Sequence, residues 1–186
     1  MKKLQKTIAL VLIVLLISAC RNDIQRSRSI EEPGVYSALI NEQLEVPFGY
    51  LMGDAPIIIV SSSYYEAVED DYLYEGAPSL DKDTLEDFKI VNQVSEILDT
   101  ALSVNKPYEY VVLPSDENGW VEFEQKYPNV ITITTLSKIG FDKELNQALV
   151  YMAYYCGSEC GTANIYFLVR KGDTWKVEST IKVWDS

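Results

Sequence analysis

The chain has 186 residues, a length typical of one domain, of which 47% are hydrophobic and 24% charged. This balance is that of a globular protein and excludes wholesale disorder. The formal net charge of −12 argues against nucleic-acid binding, which needs a basic surface to contact phosphates. The chain contains no histidine, and this excludes Ser-His-Asp and Cys-His nucleophile systems and histidine-ligated zinc.

Residues 1–19 have the composition of a secretory signal peptide. Three positive charges in the first six residues precede an unbroken apolar run from Ala9 to Ile17. As a helix this run covers about 13 Å at about 1.5 Å per residue, whereas a bilayer core is roughly 30 Å thick. We therefore predict a cleaved export signal and not a membrane-spanning helix.

The end of this signal, Ile17-Ser18-Ala19-Cys20, resembles a bacterial lipobox. In signals of this kind the cysteine sulfur receives a diacylglycerol group, a signal peptidase cuts before the cysteine, and the new amino terminus is often acylated, as with palmitate. We expect lipidated Cys20 to anchor the chain to a membrane of the bacterial cell envelope, with the folded part outside the cytoplasm. A plain secretory signal that ends in a chance cysteine is the alternative.

The remainder of the chain is predicted to be a short tether followed by one domain. Residues 20–33 are polar, and we expect them to be flexible, whereas residues 34–186 have the apolar patterning of a single domain. Loss of the basic signal would change the net charge from −12 to −15. Because such a surface repels anionic lipid headgroups and polyanions, we expect the lipid alone to hold the domain at the membrane.

Apolar residues at helical spacing predict three helical segments. The first covers residues 34–47, and the second covers residues 85–101 with a cap at Asp83 or Thr84. Aromatic residues recur at spacings of three and four within residues 120–128 and predict one or two further helical turns. The buried faces of these helices should pack on a sheet.

Short runs rich in β-branched and aromatic residues predict the strands of that sheet. They cover residues 55–60, 108–113, 130–137, 147–155, 163–170 and 174–184. In the last run apolar residues alternate with Lys and Glu, which predicts one dry face and one wet face. The fold class is therefore α+β, with N-terminal helices packed on a C-terminal antiparallel β-meander.

Residues 61–76 interleave tyrosines with carboxylates and are predicted to form an exposed acidic, aromatic loop. Its candidate binding residues are Glu69, Asp70, Asp71, Tyr72 and Tyr74. Such carboxylates could serve a hydrolase as a catalytic pair, or they could bind calcium through their hard oxygen atoms. Because 28 acidic residues make close pairs inevitable, a solvated loop is preferred, and no catalytic residue, metal or cofactor is assigned.

Two cysteines, Cys156 and Cys160, remain once Cys20 is assigned to the lipid. In an oxidising compartment they are predicted to form a structural disulfide that closes a hairpin loop, since Gly157 and Gly161 allow the chain to reverse. A redox-active pair is the alternative, although thioredoxin-like chemistry uses two intervening residues and this pair has three. A zinc site would need two further Cys or His ligands.

An ordered series of short motifs runs through the C-terminal half. It consists of residues 136–141, residues 147–151, the Cys156-Gly157 and Cys160-Gly161 pairs, Trp175-Lys176-Val177 and Trp184. The series resembles a family of uncharacterised bacterial secreted proteins and lipoproteins with a C-terminal CG-x-x-CG hairpin, whose N-terminal helices are similar to residues 36–42 and 85–88. The resemblance implies a fold and a location in the envelope, and it implies no activity.

The preferred functional interpretation is a non-enzymatic envelope lipoprotein that binds or structurally supports a protein or small-molecule ligand. The alternative is a carboxylate-dependent hydrolase that acts on envelope material. Buried carboxylates with raised pKa in a cleft would favour the hydrolase, and a shallow aromatic face would favour binding. Tyr151, Tyr154 and Tyr155 are predicted to be sheet residues, with an aromatic binding face as the alternative.

Overall fold

The computed structural model describes residues 27–43, 56–128, 130, 132–156 and 160–186. The predicted signal, Cys20, the tether before residue 27 and the loop residues 157–159 lie outside these ranges. The described residues form four helices and a seven-stranded sheet, which confirms the predicted α+β class. None of the described helices is long and apolar enough to cross a membrane.

Apart from α2 and β4, the elements follow one another in the order that the sequence patterns suggest. The helices are α1 (27–43), α2 (Asp70–Gly76), α3 (Lys82–Val91) and α4 (Glu117–Lys126). The strands are β1 (Ile57–Val60), β2 (Tyr108–Val111), β3 (Ile133–Leu136), β4 (Gly140–Phe141), β5 (Gln147–Tyr155), β6 (Gly161–Lys171) and β7 (Thr174–Asp185). Each of the six predicted strand runs contains one of these strands or matches it to within two residues, and only β4 was not expected.

The strand order is β2-β1-β3-β5-β6-β7, with the short β4 also paired to β5. The C-terminal strands β5, β6 and β7 form the predicted antiparallel meander. β1 pairs in parallel with both β2 and β3, so the sheet as a whole is mixed. Parallel neighbours require long crossover connections, and α2 and α3 lie in the connection from β1 to β2.

The sheet separates two apolar clusters. α1 contributes to the cluster that contains Val150 and Met152 of β5, whereas α2 and α3 contribute to the cluster that contains Leu149 and Tyr151. We call these two sides the α1 face and the α3 face. β5 is buried from residue 148 to residue 154 because its alternate side chains meet helices on both sides. The predicted alternation of dry and wet positions concerned β7, where Trp175 and Ile181 are buried and Lys176, Glu178 and Lys182 are exposed.

β7 changes face within its length. A register shift opposite Phe167 and Leu168 leaves Glu178 as an extra residue in this strand. As a result Trp175 joins the cluster on the α1 face, and Ile181 joins the cluster on the α3 face. The alternation in the sequence predicted that Trp175 and Ile181 lie on one face, because an alternating pattern does not show where a bulge occurs.

Residues 27–33 are already helical and belong to α1, so the prediction of a flexible tether is wrong for this segment. The polar side chains of this segment have partners elsewhere in the fold. Glu31 accepts hydrogen bonds from the Arg170 guanidinium at 2.9 Å and from the Trp175 indole at 3.0 Å. Residues that look solvated in the sequence therefore bind the C-terminal hairpin.

Arg28 joins α1 to α3. Its guanidinium donates to both Asp87 carboxylate oxygens at 2.7 and 2.8 Å and to the Ile139 carbonyl at 2.7 Å. It also lies 5.2 Å from the centre of the Phe141 ring, and the Phe141 backbone N–H donates to Asp87 at 2.7 Å. These contacts form a charge-assisted, bidentate pair at the corner of the sheet beside β4.

α3 ends at Val91, so the prediction of a helix through residue 101 is wrong. The carboxamide of Asn92 donates to the Lys138 carbonyl at 3.0 Å and accepts from the Lys138 N–H at 2.8 Å. These bonds turn the chain toward the sheet. Val94 and Ile97 continue the apolar period in the sequence, but their side chains are exposed.

The N-terminal end of α3 also differs from the prediction. Asp81 caps the helix by accepting a hydrogen bond from the backbone N–H of Asp83 at 3.2 Å. The predicted caps, Asp83 and Thr84, lie inside the first turn, where Asp83 complements the positive end of the helix dipole.

Candidate functional site

The last part of the predicted acidic, aromatic loop is helical, because α2 covers Asp70–Gly76, whereas residues 63–69 have no regular secondary structure. Of its five candidate residues, Glu69 is the N-terminal cap of α2, and Asp70, Asp71, Tyr72 and Tyr74 lie within the helix. The loop prediction is therefore wrong for this segment. The two aspartates occupy the first turn, where the helix dipole stabilises negative charge.

Contacts with the rest of the fold account for the helical conformation. Leu73 is buried in the cluster on the α3 face, the Tyr72 hydroxyl donates to the Lys182 carbonyl at 2.8 Å, and Asp70 forms an ion pair with Lys89. Among the described residues, no three Cys, Asp or Glu side chains are placed to hold a metal ion. Tyr72 and Asp70 therefore have structural contacts, and the structure brings none of the five residues into either of the pockets described below.

An acidic pocket of about 460 Å³ lies between the start of α1, α3 and the loop after β4. Most of its carboxylates have structural partners. Asp83 and Asp87 form ion pairs with Lys143 and Arg28, and Asp142 accepts two backbone N–H bonds of 2.7 Å in the turn before β5. Carboxylates engaged in this way are poor candidates for proton transfer to a substrate.

A second pocket, of about 590 Å³, lies between α4 and the adjacent ends of β3 and β5, and we call it the aromatic groove. Its lining residues are Trp120, Phe123, Glu124, Tyr127, Val130, Ile133, Tyr155 and Cys156. Trp120 is 37% exposed and Tyr155 is 39% exposed, so large aromatic surfaces face solvent. The volume lies within the roughly 300–1,000 Å³ range of small-molecule sites.

α4 supplies one wall of this groove. Asp116 caps the helix by accepting from the Gly119 N–H at 2.9 Å, and Lys126 donates to Glu109 of β2 at 2.8 Å. Hydrogen bonds from Lys126 and from the Tyr127 hydroxyl lower the pKa of Glu109. None of the residues of α4 is buried, so polar contacts hold the helix while its aromatic side stays open.

The aromatic rings of α4 form a continuous row. The centroids of Trp120 and Phe123 are 5.5 Å apart with the rings inclined at 67°, and those of Phe123 and Tyr127 are 4.8 Å apart at 54°. The spacings of three and four residues place the rings on one side of the helix. Tyr155 faces this row from β5.

Tyr155 connects the groove to further aromatic residues on the α3 face. Its ring lies 5.6 Å from that of Trp184, and Tyr64 packs edge-on to Tyr151 at 6.0 Å. Burial raises the pKa of Tyr155, and the nearby Tyr64 and Glu66 raise it further. The Tyr155 hydroxyl is therefore protonated at neutral pH and can donate a hydrogen bond.

Glu124 is the one carboxylate in the lining of the aromatic groove, and the lining contains no Lys or Arg. Within the part of the chain that the structure describes, Glu124 has no ion-pair or hydrogen-bond partner. A carboxylate without a partner beside exposed aromatic rings is a free acceptor, and it gives the groove a negative potential.

Glu32 is the half-buried carboxylate of α1. Burial raises its pKa above the ordinary 4.5, while Arg28 and Lys138 lower it and Glu96 raises it again. Lys138 forms a 2.8 Å ion pair with Glu96. Glu32 lines neither the acidic pocket nor the aromatic groove.

Cys156 and Cys160 lie at one end of the groove. Their Cα atoms are 5.0 Å apart with the sulfur atoms within bonding distance, and the Cys156 N–H donates to the Cys160 carbonyl at 2.9 Å. A cysteine pair at disulfide distance is therefore present. Tyr155 pairs with Gly161 across the strands on either side, which confirms the predicted hairpin.

The sequence interpretation treated Trp120, Phe123 and Tyr127 as helix-forming residues and missed them as a site. The available signal was their segment's lack of aliphatic residues, because a helix with few aliphatic side chains has little to bury against a sheet. Of the three tyrosines considered for an aromatic face, Tyr151 and Tyr154 are buried. Tyr155 is the one that reaches the groove.

Comparison with known proteins adds no relative to this picture. The chain matches no protein-family model, and neither the curated proteins nor the solved structures give a significant match. The resemblance to bacterial secreted proteins and lipoproteins therefore stays a prediction, and the functional argument depends on the residues alone.

Proposed function

We propose that this chain is a lipid-anchored lipoprotein of the bacterial cell envelope whose domain binds a ligand in the aromatic groove without catalysis. The observation that carries the binding role is the set of half-exposed rings from α4 and β5 around a concave surface with a free carboxylate. Exposed aromatic surface of this kind is costly in water and typical of recognition sites. The anchor is supported by the lipobox that ends at Cys20.

The position of α1 sets how far the domain can stand from its anchor. Seven residue steps separate Cys20 from residue 27, which lies in α1, and seven extended residues reach at most about 25 Å. A tether that continued to residue 33 would have reached about twice as far. The proposal therefore places the domain close to the membrane surface.

A hydrolase is the second candidate, and Glu32 is the observation that favours it. Its pKa is raised by burial, as expected of a general acid. Glycosidases need two carboxyl groups about 5–10 Å apart on either side of a cleft, and the partner of Glu32 would be Glu96. Binding is preferred because Glu96 is paired with Lys138 and Glu32 lines neither of the pockets described above.

The anchor is tested by metabolic labelling with a fatty-acid probe in a bacterial host. We expect the parent chain to incorporate the probe and Cys20→Ser to incorporate none. Cys156→Ser is the matched control, because a cysteine in a disulfide takes no lipid, and it should be labelled like the parent. Equal labelling of the parent and Cys20→Ser would refute the lipoprotein assignment.

The groove is tested with 5-fluorotryptophan incorporated into the full lipoprotein in nanodiscs. The chain has three tryptophans, of which Trp120 lines the groove, Trp184 contacts Tyr155, and Trp175 is buried against Glu31. A fragment library should contain compounds that shift the Trp120 resonance and leave that of Trp175 in place. A library that leaves Trp120 unmoved while shifting other signals would contradict binding in the groove.

We also propose that the Cys156–Cys160 pair is oxidised in the exported protein. Mass spectrometry of unreduced peptides should show the two residues joined. If they are joined, replacement of both by Ser should cost about 2 kcal/mol, because a short ring removes little unfolded-state entropy. Two free thiols after export would show that the pair has another role.

A further inference from the structure

We propose that the aromatic groove takes a neutral saccharide, an inference that rests on the binding role proposed above and names its ligand class. The C–H groups on one side of a pyranose ring carry a slight positive charge and form an apolar surface. Aromatic rings present a negative, apolar face that matches it. Trp120, Phe123, Tyr127 and Tyr155 supply four such rings in one groove.

The arrangement of the rings favours an extended ligand. Trp120, Phe123 and Tyr127 follow one another along α4 with centroids 5.5 and 4.8 Å apart, and Tyr155 lies opposite them. Rings that enclose a single point would fit a small cation, whereas a row of inclined rings contacts successive units of a chain. An oligosaccharide has this repeating form.

The charges of the groove exclude anionic ligands, and Lys126 already lies over one of the rings that a small cation would use. Its lining contains Glu124 and no Lys or Arg, and the whole chain carries a net charge of −12, so phosphates and carboxylates are repelled. A ligand cation would need free ring faces, but the Lys126 ammonium already lies 4.6 Å from the centre of the Tyr127 ring. A neutral ligand is not repelled by the charge of the groove and does not need the ring that Lys126 covers.

Two polar groups in the groove match sugar hydroxyls. The Glu124 carboxylate accepts hydrogen bonds and has no partner among the described residues. The Tyr155 hydroxyl, whose pKa is raised by burial, stays protonated and can donate. A hydroxyl both donates and accepts, so sugar hydroxyls can pair with either group.

The test uses the fluorotryptophan-labelled lipoprotein in nanodiscs, which avoids sugar-based detergents. The probes are cellohexaose, maltohexaose and the hexamer of N-acetylglucosamine. At least one should shift the Trp120 resonance in a saturable manner at millimolar concentration or below and leave Trp175 unmoved. Trp120→Ala and Glu124→Gln should each weaken binding at least about tenfold when measured by calorimetry, which corresponds to 1.4 kcal/mol.

Val121→Ala is the matched control, because Val121 is half-exposed on the same helix but does not line the groove. This variant should bind the oligosaccharide with the affinity of the parent. The proposal is overturned if none of the three oligosaccharides moves Trp120, or if binding survives both groove substitutions. If fragments of another class then shift the Trp120 resonance, the groove still binds a ligand but the saccharide proposal is refuted. If no fragment and no sugar shifts it, the binding role and the saccharide proposal are both refuted.

Discussion

Two corners of the molecule differ in whether their polar side chains have hydrogen-bond or ion-pair partners. Where α1 meets α3 beside β4, Arg28 donates hydrogen bonds to Asp87 and to the Ile139 carbonyl, and backbone and side chains are in close contact. Where α4 lies beside the end of β5, aromatic rings are half-exposed and Glu124 has no described partner. We call these the paired corner and the open corner.

The difference follows from the cost of burying each kind of group. A charge that loses water must gain partners, so the partial burial of Arg28 at the paired corner is accompanied by acceptors from Asp87 and Ile139. Partly exposed aromatic rings forgo some favourable apolar burial, but they need no fixed polar partner. The polar residues 27–33 are therefore part of the folded domain. The aromatic residues of α4 stay partly exposed and form the candidate site.

Gly140→Ala should have the largest effect on stability, at the paired corner. A Cβ at this position would collide with the backbone of Phe88 in α3, and the helix cannot move without loosening the core. We expect a loss of about 3 kcal/mol in the free energy of unfolding, measured by urea denaturation.

Gly119→Ala is the matched substitution at the open corner. There the new Cβ meets the Pro114 side chain at 2.9 Å, and a gain in helix propensity of about 1 kcal/mol offsets the shift of the loop. The net change should stay within about 1 kcal/mol. Equal losses for the two variants would show that the open corner is packed as tightly as the paired one.

Asp87→Ala should cost about 2–3 kcal/mol, because it leaves the Arg28 guanidinium and the Phe141 N–H without their acceptor in a partly buried site. The exposed Glu109–Lys126 pair at the open corner is the control. Lys126→Ala should leave the denaturation curve close to that of the parent, because an exposed ion pair is screened by solvent. A double-mutant cycle with Arg28→Ala should show coupling at the paired corner, and its absence would contradict the assignment.

Trp120→Ala should cost only about 1 kcal/mol, well below the 3–5 kcal/mol of a fully buried aromatic residue, because none of the side chains of α4 is buried. The Trp175 fluorine resonance should remain at its native position, which would report an intact α1 face. A loss of several kcal/mol would mean that the ring is core and would weaken its role as a binding surface.

Glu32→Gln should have the smallest effect, and it depends on pH. The folded-state pKa of Glu32 is raised above 4.5 mainly by burial, so the native state binds more protons than the unfolded chain just above this pH. The contribution of Glu32 to stability therefore falls as the pH rises through its folded-state pKa. Denaturation curves at pH 4 and pH 7 should show the variant gaining on the parent at the higher pH, whereas the opposite trend would mean a lowered pKa.

Local patterns predicted the elements well where the apolar residues kept one spacing along the whole helix or strand. β5 occupies residues 147–155 as its apolar run indicated, and Gly172 has the positive φ of 66° that the final hairpin requires. The candidate site was predicted less well. Tyr155 was considered as part of an aromatic face, but the acidic, aromatic segment around Tyr72 became a packed helix.

The sequence by itself determined the α+β class, the strand runs, the C-terminal meander and the cysteine hairpin, because each depends on residues close along the chain. Tertiary structure decided the helical conformation of residues 27–33, the end of α3 at Val91 and the change of face in β7. The first two depend on partners such as Asp87 and Lys138, which lie tens of residues away, and a bulge shows no local pattern. The aromatic groove arose in the same way, since only the folded chain brings α4 beside Tyr155 and leaves their rings uncovered.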